Sequence, residues 1–170
     1  MWSKIFVMDI PKKGDPIKRH PALQNISRAN HDVLTFCLNL NLGIRNKTDI
    51  ARINAYINAI TKDFLVQNFD FKTRKVYKLI QSNPLTYQQT QDFKQYFNFL
   101  KKIEDKTIEE ILEFERIVYT QVRLDERIIL NEIQNNCSEN DIQKLSKDFE
   151  KIPTSCIKWI DTFWKNKPSK

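Results

Sequence analysis

Glycine is almost missing from this chain of 170 residues: only Gly14 and Gly43 occur. Tight hairpins and doubly wound sheets draw on glycine for their turns, so the shortage disfavours both and points to helices. No apolar run approaches the roughly 20 residues that a membrane-spanning helix needs. The three cysteines, Cys37, Cys137 and Cys156, are odd in number and widely separated. That pattern suits neither a disulfide framework nor a zinc site, and reduced thiols in the cytoplasm are expected. The segment Met1 to Ile10 lacks the long apolar core and small-residue cleavage site of a signal peptide.

Charge is plentiful, with 29% charged residues and a net charge of +7. The lysines are scattered, and no Arg/aromatic recognition motif accompanies them. A solvated surface is therefore expected in preference to a nucleic-acid interface. No membrane association is expected, and a protein partner is left open.

Prolines 11, 16 and 21 punctuate a basic lead-in, placed at residues 1–18. Helical patterns follow. The first is predicted from Ser27, as its cap, to Leu42, with Gly43 as a left-handed stop. The second opens after Thr48 and carries Ile50, Ile53, Ile57, Ile60 and Phe64 at alternating steps of three and four, running to about Ile80. Pro84 breaks the chain. The third starts near Thr86, with Phe93, Phe97, Leu100 and Ile103 on one face. Thr107-Ile108-Glu109-Glu110 reads as a capping box that opens the fourth. Its stripe runs through Ile111, Leu112, Val118, Val122, Ile129 and Ile133 to about Asn135. Ser138 caps a short helix to about Glu150. After Pro153, the segment 151–170 carries Ile157, Trp159, Ile160, Phe163 and Trp164, an amphipathic tail that packs on the bundle or on a partner. Trp2, Ile5 and Phe6 could meet it from the other terminus. Four long amphipathic helices with short connections predict an all-α, antiparallel, up-and-down four-helix bundle with short extra C-terminal helices.

The stripes are interrupted by polar residues. On the second helix the core face passes through Asn68 and Lys72, and on the fourth through Gln121 and Asp125; His31 lies three before Leu34 on the first. Polar groups on several facing helices have the layout of an internal site. The alternative is that Asn68 and Gln121 are satisfied core amides and that Lys72 carries its ammonium out to water.

At these same residues the chain resembles the hemerythrin-like (HHE) family over residues 19–150. Members commonly open with Arg-His-Pro-Ala-Leu, then Leu-Ser-Arg-Glu-His-His; here the chain reads Arg19-His20-Pro21-Ala22-Leu23, then Ile26-Ser27-Arg28-Ala29-Asn30-His31. The family's His-Phe-x-x-Glu-Glu on the second helix corresponds to Asn68-Phe69-Asp70-Phe71-Lys72-Thr73. Its His-x-Arg-x-Glu-Glu-Arg on the fourth corresponds to Gln121-Val122-Arg123-Leu124-Asp125-Glu126-Arg127.

The resemblance implies a site where two irons are held by histidines from all four helices and bridging carboxylates. His31 is the one family histidine that survives. Asn68 and Gln121 stand at histidine positions, Lys72 at one bridging glutamate and Asp125 at the other. The third-helix histidine falls near Tyr96 or Phe97, and His20 is not a family ligand. One histidine and one aspartate are too few donors for two irons, and a lysine places a cation where a dication would sit. The expected reading is therefore a vestigial pocket of His31, Asn68, Lys72, Gln121 and Asp125. In it Lys72 pairs with Asp125 or Glu126, rings at Tyr96 and Phe97 fill the vacated volume, and neither metal nor cofactor is held. A non-catalytic interaction or structural protein follows. The alternatives are a residual metal or small-ligand sensor around His31 and Asp125, and a basic module for nucleic acid or an acidic partner. The last is motivated by Lys12, Lys13, Lys18 and Arg19 at one end and Lys165, Lys167 and Lys170 at the other.

Overall fold

The computed structural model describes residues 17–80, 82–156 and 158–165. The proposed lead-in therefore lies almost wholly outside the described residues, as do Trp2, Ile5, Phe6 and the lysines at positions 12, 13, 167 and 170. Among the described residues the chain is helical with no strand, and no helix is long and apolar enough to cross a membrane.

A 3-10 turn, Pro21–Leu23, leads into α1, Gln24–Arg45. The cap is His20, whose Nδ1 accepts from the Ala22 N–H at 3.2 Å, with Pro21 supplying the preset first position. Ser27, the expected cap, instead lies one turn inside α1 and bonds across the core. Gly43 is not a left-handed stop either: no glycine among the described residues has positive φ, and the reversal falls to Lys47 at φ 54°. Gly43 is buried under the Phe163 ring, whose Cδ2 lies 2.8 Å from where a Cβ would sit. It is small because a tail ring rests on it.

The second helical run is α2, Ile50–Ile60, then a π turn Thr61–Leu65, α3, Val66–Phe71, a second π turn Lys72–Val76, and a 3-10 turn Tyr77–Ile80. Asp49 rather than Thr48 is the cap, its Oδ1 accepting from the Ala51 N–H at 2.8 Å. Asn83 caps α4, Pro84–Leu100, with Pro84 at the tolerated first turn. Thr107 and Glu110 form the expected reciprocal box before α5, Ile108–Leu124. A π turn, Asp125–Ile129, joins α5 to α6, Leu130–Asn136. Ser138 caps α7, Glu139–Phe149.

One core runs through all these elements, built on Ile26, Val33, Phe36, Ile57, Phe64, Phe69, Phe114, Val118, Ile129 and Ile133. Three of the residues assigned to the stripes stay largely in solvent: Ile50 and Leu112, each in the first turns of a helix, and Ile103, which lies beyond the end of α4. The most extensive helix–helix contact joins α1 to α5, and α7 packs on the opening 3-10 turn and on α1. Hydrogen bonds from Lys72 to Asn30 and Asp125 bring the second run beside α1 and the start of the third π turn.

The tail packs on the chain's own helices. Tyr56 on α2 meets Trp159, Phe163 and Trp164 at centroid separations of 5.7, 5.5 and 5.2 Å. Asn46 holds the Trp164 carbonyl at 3.0 Å, and the Arg52 guanidinium grips the Asp161 carboxylate with Nε at 2.9 Å. Among the tail's described residues only Phe163–Lys165 is regular, a single 3-10 turn. Ile160, expected on the tail's apolar face, is 94% exposed.

Candidate functional site

Lys72 opens the second π turn and Asp125 opens the third. A π turn closes i→i+5 bonds and slips the buried face of a helix by about one residue; such turns occur frequently at functional sites. Here both members of Phe71-Lys72 and of Leu124-Asp125 are buried. Lys72 and Asp125, each four residues after a buried amide, face inward by regular helical spacing, and the π turns that begin at them shift the residues that follow.

The Lys72 ammonium has 0% exposure and lies 2.8 Å from Asp125 Oδ2. It also donates to Asn30 Oδ1 and sits over the Phe69 ring at 4.7 Å from the centroid. The other Asp125 oxygen accepts from the Tyr77 hydroxyl at 2.9 Å and from Gln121 Nε2 at 3.0 Å. Gln121 also donates to the Tyr77 oxygen at 3.0 Å. Burial, reinforced by the Asp125 charge, pushes the Tyr77 phenol well above its ordinary value, so it remains a donor. Both Asp125 oxygens are thus satisfied inside the core, as burial of a charge demands.

A polar chain leads from this pair to the surface. Asn30 Nδ2 donates to Glu126 Oε1 at 2.7 Å, and Ser27 donates to the same carboxylate. Arg19 reaches in to hold Glu126 by its carbonyl at 2.8 Å and by Oε2 at 3.2 Å, and Asn131 by Oδ1 at 3.0 Å. His20 fixes the same entry, its N–H on Gln134 Oε1 at 2.7 Å and its Nε2 3.2 Å from Glu139 Oε2. The opening Arg19-His20 pair therefore fastens the chain's entry to α6, α7 and the third π turn.

Of the five expected pocket residues, three meet: Lys72, Gln121 and Asp125. His31 does not. Its side chain is 79% exposed, because the inward stripe of α1 runs through Ile26, Asn30, Val33, Cys37 and Leu40. The structure does not bring His31 and Asp125 together: one faces solvent and the other the core. Asn68 is fully buried but serves another purpose, donating to the Phe64 carbonyl and to the Pro153 carbonyl, each at 3.1 Å. It ties the second run to the start of the tail.

Phe97 packs on Phe69, the ring under the ammonium, at 4.9 Å, with Phe93 beside it at 4.8 Å. Tyr96 is only partly buried against the core; its hydroxyl is raised first by burial and then by Glu113. Asn30 and Tyr77 were missed. The steps of four and three from Ile26 could have revealed Asn30. Tyr77 lies five residues beyond Lys72, a spacing that only a π turn brings to one side.

The donor set around Lys72 does not fit the two irons that the resemblance implies. It offers one carboxylate, two amides and a phenol around an ammonium, with no imidazole. Iron in such proteins needs nitrogen and carboxylate donors in number. Among the described residues, no group of three or more His, Cys, Asp or Glu side chains is placed to hold a metal ion.

No protein-family profile, curated protein or solved structure matches this chain.

Proposed function

We propose that this chain is a metal-free, hemerythrin-like four-helix bundle over residues 19–150 that acts as a non-catalytic interaction or structural protein. The observation that carries the reading is the Lys72 ammonium, fully buried and 2.8 Å from Asp125. An internal cation bonded to the aspartate at one bridging position repels any dication that would enter between them. Gln121 stands in the same cluster, at another position where the family resemblance places a ligand. Asn30, one residue before the histidine that the resemblance carries over, supplies the α1 contribution.

The cluster's groups bond to one another, so none is left as a poised nucleophile or base. The reading is tested by elemental analysis of protein purified without chelator and then offered ferrous iron. Less than about one-tenth of an equivalent of bound iron is expected. Stoichiometric iron, with loss of binding in Asp125→Ala, overturns the reading.

A further inference from the structure

A second feature lies away from the buried cluster. The end of the second helical run and α7 face each other across a groove of about 450 Å³. Arg74, Lys75 and Lys78 rise from one wall and Lys144 from the other, all four exposed. One ion pair crosses it: Lys75 Nζ lies 3.0 Å from Asp148 Oδ2. Asp141, the other carboxylate of the lining, is already engaged by the Ser138 hydroxyl at the cap of α7. Arg74 spends its Nε on the Asp70 carbonyl at 3.1 Å and forms no ion pair among the described residues. Lys78 and Lys144 likewise form no ion pair among them, although the Lys144 charge acts on Asp148. Between the walls the lining is apolar: Leu79 is half-buried and Leu145 buried.

We propose that this groove docks an acidic peptide segment of a partner protein, with carboxylates on Arg74, Lys78 and Lys144 and an apolar side chain over Leu79. Three cations outside any ion pair among the described residues, beside an apolar floor, complement such a segment in both charge and hydropathy. The volume falls within the roughly 300–1,000 Å³ of ordinary ligand clefts. Nucleic acid is disfavoured by one feature of the lining. No aromatic ring is present to stack a base. The proposal rests on the interaction role put forward above but not on the history of the buried cluster, so the iron assay and the binding assay fail separately.

The test is fluorescence anisotropy with a labelled peptide of glutamate and leucine, run beside an all-glutamate peptide and labelled oligothymidylate. Saturable binding of the glutamate–leucine peptide is expected, weakening as salt rises. The double variant Lys78→Glu/Lys144→Glu should weaken it by at least about tenfold. The control Lys62→Glu/Lys94→Glu, at two exposed lysines outside the groove lining, should change it by less than about twofold. Circular dichroism of both variants checks that the helices are retained. The proposal is overturned by absence of saturable binding at low salt, by equal loss in both variants, or by tighter binding of the oligothymidylate or the all-glutamate peptide.

Discussion

Withdrawing an ammonium and a carboxylate from water costs several kcal/mol for each ion. Lys72 and Asp125 therefore remain inside only because Asn30, Tyr77 and Gln121 complete their hydrogen bonds. Removing one member leaves the other uncompensated. Lys72→Met is expected to destabilise the fold by about 3–5 kcal/mol, measured by urea unfolding. The double change Lys72→Met/Asp125→Leu should cost markedly less than the sum of the two single changes, since neither charge is then left alone. Additive costs would show that the two side chains do not act as a pair. Tyr77→Phe should cost less than either single charge change, because Gln121 still donates to the same Asp125 oxygen.

At the scale of the element, chemistry written in adjacent residues was legible and chemistry that depends on distant ones was not. Thr107 and Glu110, three apart, form the box that their types announce. Thr107→Ala should therefore cost about 1 kcal/mol in the same unfolding assay. Ser138 was equally readable, whereas α4 begins at Pro84 with Asn83 as its cap rather than near Thr86. Gly43 was not readable, because its smallness answers to a ring in the tail rather than to the end of its own helix. Gly43→Ala should displace Phe163 at a cost of about 1–3 kcal/mol, seen as changed tryptophan emission together with a lower melting temperature. Within the site, Lys72, Gln121 and Asp125 could be found by steps of three and four. The π turns that begin at Lys72 and Asp125 have no periodic signature, so Tyr77 stayed hidden. His31 was read onto the core face from its step of three to Leu34, but the buried stripe from Ile26 passes through Asn30.

Across the whole molecule the tail acts as a clasp over α1 and α2. Among the described residues its one ion pair with α2 is Arg52–Asp161, and the bond from Arg52 holds the Asp161 carboxyl below the usual carboxylate range. A carboxyl depressed in the folded state contributes stability that is present above its unfolded value and lost as pH falls through its folded one. Acid should therefore loosen the tail below about pH 4, and Asp161→Asn should abolish that step in the tryptophan signal while leaving the helical circular dichroism unchanged. The same opening can be read chemically. Burial, then the charge of Asp32, pushes the Cys156 thiol up to about 12. At neutral pH it should react with a thiol reagent far more slowly than in the Gly43→Ala variant.

Asn46 and Trp164, joined by one of the clasp's bonds, are 118 positions apart. During synthesis, the aromatic face of Tyr56 must therefore wait for a segment that leaves the ribosome long after α1 and α2. A nascent chain stalled near Pro153 would display that face bare and would be a natural target for a chaperone.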